Sequence, residues 1–118
     1  MENKRAIGKK KEELAEQYLK SQGYEILEKN FYSHAGEIDI IAKDGAYLVF
    51  VEVKYRKSLS QGYASEAVNA RKQQRIYRAA SYYLYKNGYS ADATPCRFDV
   101  VSIQGEQIAV IKNAFGGF

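Results

Sequence analysis

Apolar residues recur along this chain with two different periods, and the places where the period changes divide it into seven elements. Over residues 6–21 the apolar positions Leu14, Ala15, Tyr18 and Leu19 fall on one face of a helix, and Gly23 stands where a left-handed helix cap wants a glycine. Residues 24–32 read as a first strand, and Ser33-His34-Ala35-Gly36 as the loop that follows, His34 included. Two short apolar runs, residues 38–42 and 47–53, flank Asp44-Gly45, which is the pattern of a β-hairpin. Ser65 is placed as an N-cap, with Glu66 in the first turn, for a long helix running to about residue 87 just before Gly88. Val68, Ile76, Ala80, Tyr83 and Leu84 form its apolar side. Residues 97–103 and 107–112 then read as two strands joined across Gln104-Gly105-Glu106. Helix, three strands, helix and two strands predict an α/β sandwich around a mixed central sheet flanked by helices.

The hairpin carries the chemistry. In a two-residue loop of Asp44 and Gly45, Lys43 faces Ala46, Ile41 faces Leu48, Asp39 faces Phe50 and Glu37 faces Glu52. Side chains alternate along a strand and opposed residues share a face. Glu37, Asp39, Glu52 and Lys54 are therefore expected on one side of the sheet. Pairing that begins at Ala42 and Tyr47 keeps this result, whereas an odd loop length would separate the charges of the two strands. Val49, Val51 and Val53 interleave with Phe50, Glu52 and Lys54, so the second strand is apolar enough on both sides to be central and covered. Carboxylates that converge there repel one another, and burial is costly unless a cation or hydrogen-bond donors compensate. Oxygen-only ligands suit a hard divalent ion such as Mg²⁺ or Mn²⁺. With Lys54 beside it, such an ion fits metal-assisted phosphodiester hydrolysis. A plain sheet face with a solvated Glu–Lys pair is the alternative these residues leave open.

Asp39 followed across a hairpin by Glu52-Val53-Lys54 resembles the PD-(D/E)xK nuclease signature, with Ile38 where the leading Pro would stand. Gly36-Glu37-Ile38-Asp39-Ile40-Ile41-Ala42, Val49-Phe50-Val51-Glu52-Val53-Lys54-Tyr55-Arg56 and Arg97-Phe98-Asp99-Val100-Val101 resemble the YraN-like family, small bacterial proteins without an assigned function. That family is grouped with Holliday junction resolvases and other restriction-endonuclease-like folds. The resemblance spans residues 8–115 and implies an αβββαβ core. It also implies Asp39 and Glu52 as metal ligands, Lys54 as the catalytic cation and Glu37 in support. Gly8-x-x-x-Glu12 matches the first-helix glycine and acid of junction resolvases, which adds Glu12 to the site. On the residues alone, Glu12 is simply a first-turn acid favoured by the helix dipole. Gln73-x-x-x-Tyr77 resembles a helix motif of RecB-like nucleases, in which Gln and Tyr reach the site, although Tyr77 also has core spacing. Two departures stand out: Lys11 where relatives often have Gly, and no Arg near Tyr32.

At 118 residues the chain is expected to be one domain, residues 1–118. Eighteen Lys and Arg against fourteen Asp and Glu give +4 at pH 7, which suits a polyanion. Lys9, Lys10, Arg56, Lys57, Lys72 and Arg75 are the expected phosphate contacts. One cysteine, Cys96, and one histidine exclude a disulfide within the chain and a zinc site of the usual kind. No apolar leader follows the basic start and no run approaches a membrane span, so the expected place is the cytoplasm. Asp99 matches the family pattern, and pairing with an Arg or Lys is its expected role. Of Phe115 and Phe118, one is expected to pack and one to be loose. The expected function is a divalent-metal-dependent endonuclease acting on DNA, including branched or junction DNA in repair or recombination. The alternative is a nucleic-acid-binding protein of the same fold that does not cleave. An RNA-directed nuclease would use the same site, and a junction substrate would make a two-fold homodimer natural.

Overall fold

The computed structural model describes residues 4–57 and 68–116. Its elements are α1 (Lys4–Ser21), β1 (Glu25–Tyr32), β2 (Glu37–Asp44), β3 (Tyr47–Arg56), α2 (Ala70–Lys86), β4 (Cys96–Gln104) and β5 (Gln107–Ile111). The five strands lie side by side in chain order. All neighbours are antiparallel except β3 and β4, which run parallel because α2 carries the chain back between them. The result is a mixed sheet flanked by two helices, with the predicted αβββαβ order and β5 added at the edge.

Strand β3 is central and its alternation divides the core. Leu48 and Phe50 point to α2, where they meet Ile76, Ala79, Ala80, Tyr83 and Leu84. Val49 and Val51 point to α1 and pack with Ala15, Leu19, Tyr24 and Val101. Both helices end in the same way. After α1, Tyr24 N–H donates to Leu19 O at 3.0 Å around Gly23 (φ +93°); after α2, Tyr89 N–H donates to Leu84 O at 2.9 Å around Gly88 (φ +73°). Each is a Schellman closure, in which a glycine at positive φ lets the chain fold back over the last turn.

Three expectations need correction. The hairpin turns at Gly45-Ala46, with Asp44 opposite Tyr47, Lys43 opposite Leu48 and Ile41 opposite Phe50. Only Gly45 of the two loop residues has positive φ, at +61°, as a type II′ turn requires, whereas a type I′ turn would need it at both. The pairing is thus displaced by two residues from Lys43 opposite Ala46. Two is the period of side-chain alternation, so Glu52 and Lys54 of β3 keep their expected face, whereas the β2 acids lie beyond the paired stretch, which ends at Ile40 opposite Val51. Second, α2 is capped by Asn69, whose side chain accepts from Lys72 N–H at 2.9 Å. Ser65 and Glu66 lie outside the described residues. Third, Val68 precedes α2, yet it packs against the same cluster. Phe115 packs on Phe98 and Tyr77 as expected, and Phe118 is outside the described residues.

Candidate functional site

Past Phe50, the alternation of β3 places Glu52 and Lys54 on the α2 side. The β2–β3 ladder runs as far as Ile40 opposite Val51. Beyond it the Asp39 side chain takes over, and Oδ2 accepts from Val53 N–H at 2.8 Å. Strand β2 loses its alternation here: Ile38 packs on the α2 side and Ile40 on the α1 side, although residues two apart ordinarily share a face. The neighbouring strand is irregular at the same level. Asn30 lies between Lys29, opposite Ile40, and Phe31, opposite Ile38, and its φ is +53°. Asparagine tolerates this left-handed conformation better than most residues.

The distortion gathers acids from two elements. Carboxylate oxygens of Glu12 on α1 and of Glu37 and Asp39 on β2 lie within 4.8 Å of one another. The Asn30 amide, oriented with its NH₂ toward the acids, donates to Glu12 Oε2 at 3.1 Å and to Glu37 Oε1 at 2.7 Å. Glu52 stands beside this group, 4 % exposed. Its Oε1 receives Lys72 Nζ at 2.9 Å and Lys54 Nζ at 3.3 Å. A cleft of about 670 Å³ opens on Glu12, Asp39, Glu52, Lys54 and Lys72 between α1, the sheet and the start of α2, with Lys11 and Lys57 also on its wall. Lys11 Nζ lies 4.4 Å from the centre of the Tyr55 ring. A Cβ at Gly8 would meet nothing within 4 Å, so that glycine is not demanded by packing.

Electrostatics mark Asp39 out. Burial, then the charge of Glu52, then those of Glu12 and Glu37 push its carboxyl up to about 8, against the Val53 N–H, which favours the charged form. Glu37 is raised by burial, by Glu12 and by Glu52, with Lys72 opposing. Burial works against the Lys72 ammonium, yet its pKa is raised because Glu52 accepts from it. A hard divalent cation fits this donor set. The ligands are all oxygen, they come from three elements, and their repulsion is what a cation would relieve. Glu12, Glu37 and Asp39 would hold it together with Glu52 of β3.

Of the expected site residues, the fold brings Asp39, Glu52, Lys54, Glu12, Lys57 and Lys72 to one cleft, and Glu37 adjoins it beside Glu12 and Asp39. Lys9 lines a smaller cleft of about 440 Å³ next to it, with Arg5, Asn30 and Tyr32. Others lie elsewhere. Lys10 borders Glu13, Glu16 and Lys29 on another flank of α1. The Gln73 amide turns back to Val68 O at 3.1 Å, and Tyr77 packs edge-on against Phe98. Arg75 sits beside Gly36, its Cβ 3.7 Å from where a Gly36 Cβ would be. Arg56 continues the Glu52–Lys54 face to the end of β3. Sequence reasoning missed Asn30. Its signal was an asparagine inside a strand, where that residue is disfavoured unless a special conformation or contact needs it.

Fold and site together define an α/β protein with a carboxylate and lysine cluster at one end of its central strands. The chain belongs to the uncharacterised protein family UPF0102, whose pattern matches residues 11–103. It is similar to the UPF0102 protein of Lachnoclostridium phytofermentans, 49 % identical over 116 residues that cover 98 % of both chains. The UPF0102 protein of Photobacterium profundum is 52 % identical over 113 residues, covering 94 % of this chain and 90 % of the relative. That of Acetivibrio thermocellus is 50 % identical over 123 residues, covering 96 % and 93 %.

Proposed function

We propose that this protein is a divalent-metal-dependent endonuclease acting on DNA, including branched or junction DNA of the kind met in repair and recombination. The observation that carries the reading is the cluster at Asp39: a half-buried carboxyl set among Glu12, Glu37 and Glu52, raised by burial and by their charge, and opening on a cleft walled by lysines. The PD-(D/E)xK resemblance and the αβββαβ order support it. A bound Mg²⁺ or Mn²⁺ supplies a water of lowered pKa and a Lewis acid for phosphoryl oxygens. Asp39, Glu52, Glu12 and Glu37 would hold the ion. Lys54 stabilises charge that develops on the phosphate, and Lys57 and Lys11 draw the backbone toward the cleft. No helix among the described residues is long and apolar enough to cross a membrane. We infer a cytoplasmic location from the proposed nucleic-acid substrate.

One observation favours a second reading. Glu52 is already neutralised by two lysines, as it would be in a binding protein that keeps the fold without cleaving. The test pairs binding in Ca²⁺ with cleavage in Mn²⁺ on junction, flap and linear DNA and on RNA. Glu52→Gln and Lys54→Ala should bind within a few-fold of wild type and lose cleavage by about 100-fold to 1000-fold. A wild type that binds but cleaves nothing on this panel would establish the binding protein instead.

A further inference from the structure

We propose that Lys72 is the resident counter-ion of Glu52, standing where a divalent cation takes that carboxylate and released by the cation to meet a substrate phosphate. The proposal rests on the reading of the acid cluster as a metal centre. Glu52 lies on a central strand and is almost wholly buried, so its charge must be met inside the protein. Both ammonium groups reach the same oxygen, Oε1, with Lys72 the nearer at 2.9 Å against 3.3 Å for Lys54. An oxygen with two lone pairs is fully used by two such donors. A cation that coordinates Oε1 therefore competes with these donors for it.

The fold decides which of the two gives way. Lys54 lies on Glu52's own strand, in register with Ser102 of β4, and its side chain is 22 % exposed. Lys72 comes from the first turn of α2, with its N–H fixed by the Asn69 cap, and its side chain is 38 % exposed. Its four-carbon stem can swing within the cleft while the helix stays in place. The freed ammonium would remain among Lys11 and Lys57 on the cleft wall, where a phosphate is drawn. Metal binding and substrate binding are thereby coupled: the ion that takes Glu52 delivers a cation to the phosphate.

The experiment follows reductive methylation of each lysine by mass spectrometry with and without Mn²⁺, beside calorimetric titration of Mn²⁺ into the wild type and Lys72→Met. Lys72 should be modified slowly without metal and several-fold faster at saturating Mn²⁺, while Lys54 changes much less. Lys72→Met, which keeps the apolar stem and removes the competing charge, should bind Mn²⁺ about tenfold more tightly. If Mn²⁺ binds the wild type and Lys72 stays equally slow, or Lys72→Met binds no more tightly, Lys72 is a fixed structural partner and the proposal is wrong. Failure of both proteins to bind Mn²⁺ would overturn the metal-centre reading itself, and this proposal with it.

Discussion

Asp39 and Asp99 are both aspartates of the sheet, one half-buried and one wholly buried, and their surroundings could hardly differ more. Asp99 has no exposed surface, and each oxygen takes two donors. Oδ1 accepts from Arg97 Nε and Asn113 N–H, both at 2.9 Å; Oδ2 accepts from Tyr24 Oη at 2.6 Å and Arg97 Nη2 at 2.8 Å. Arg97 Nη2 also reaches Asp44 at 2.7 Å, and Lys112 completes the chain at 3.1 Å. Burial, then the bond to Asp99, raises the Tyr24 phenol, while Arg97 holds the Asp44 carboxyl below its ordinary range. Asp39 has one hydrogen-bond donor among the described residues, Val53 N–H, and feels the charges of Glu52, Glu12 and Glu37 as well as that of Lys72. A buried carboxylate whose four acceptor positions are filled is a structural joint. One left among other carboxylates lacks a partner that the protein itself does not supply.

Removing a partner from each cluster should have opposite effects. Arg97→Met leaves the Asp99 carboxylate buried without its cation and should destabilise the protein by roughly 3–5 kcal/mol, read from urea denaturation. Mn²⁺ binding to protein that remains folded should be unchanged.

The two clusters should also part company with pH. The Asp39 carboxyl ordinarily ionises near 3.8 and in the folded protein near 8, so the native state keeps a proton that the unfolded chain has lost. Without metal, stability should therefore fall as pH rises between about 4 and about 8, by on the order of a few kcal/mol. Asp39→Asn keeps the acceptor for Val53 N–H and should flatten that decline. Asp44 works in the other sense: its lowered pKa contributes stability above the ordinary range, which is lost as pH falls. Urea titrations of wild type and Asp39→Asn at several pH values separate the two slopes.

The smallest effect is expected at Asn30. Asn30→Gly keeps the left-handed backbone and deletes the amide that bridges Glu12 and Glu37, so Mn²⁺ affinity should drop by about tenfold with little change in stability. Asn30→Ala should add a cost of about 1 kcal/mol for an alanine at positive φ. Equal Mn²⁺ affinity in Asn30→Gly and wild type would remove the amide from the metal site.

Much of this contrast was legible in the chain. The alternation of Val49, Phe50, Val51, Glu52 and Lys54 specified a central strand with an acid and a lysine on one face, and that result survived a wrong turn position because the displacement was two residues. Asp99 was expected to pair with a basic residue, and Arg97 lies two positions before it on the same face. Where the local backbone departs from a regular strand, the pattern fell silent. The break in alternation at Asp39 and the positive φ of Asn30 have no period to announce them, yet they bring Glu12 and Glu37 to Asp39. The start of α2 was misjudged because Ser65 and Asn69 are both good caps. Which lysine lies nearer Glu52 depends on how α2 crosses the sheet, which no local pattern encodes.

Thermal melting of wild type and Asp39→Asn across a Mn²⁺ series tests the contrast most directly. The metal-free wild type should melt below Asp39→Asn, because Asp39 is ringed by acids. Added Mn²⁺ should then raise the wild-type midpoint, by the equivalent of about 2.7 kcal/mol at a hundred times Kd, while Asp39→Asn scarcely moves. A wild type indifferent to Mn²⁺, together with a lower midpoint for Asp39→Asn, would make the Asp39 cluster a structural joint like that of Asp99 and contradict the metal centre.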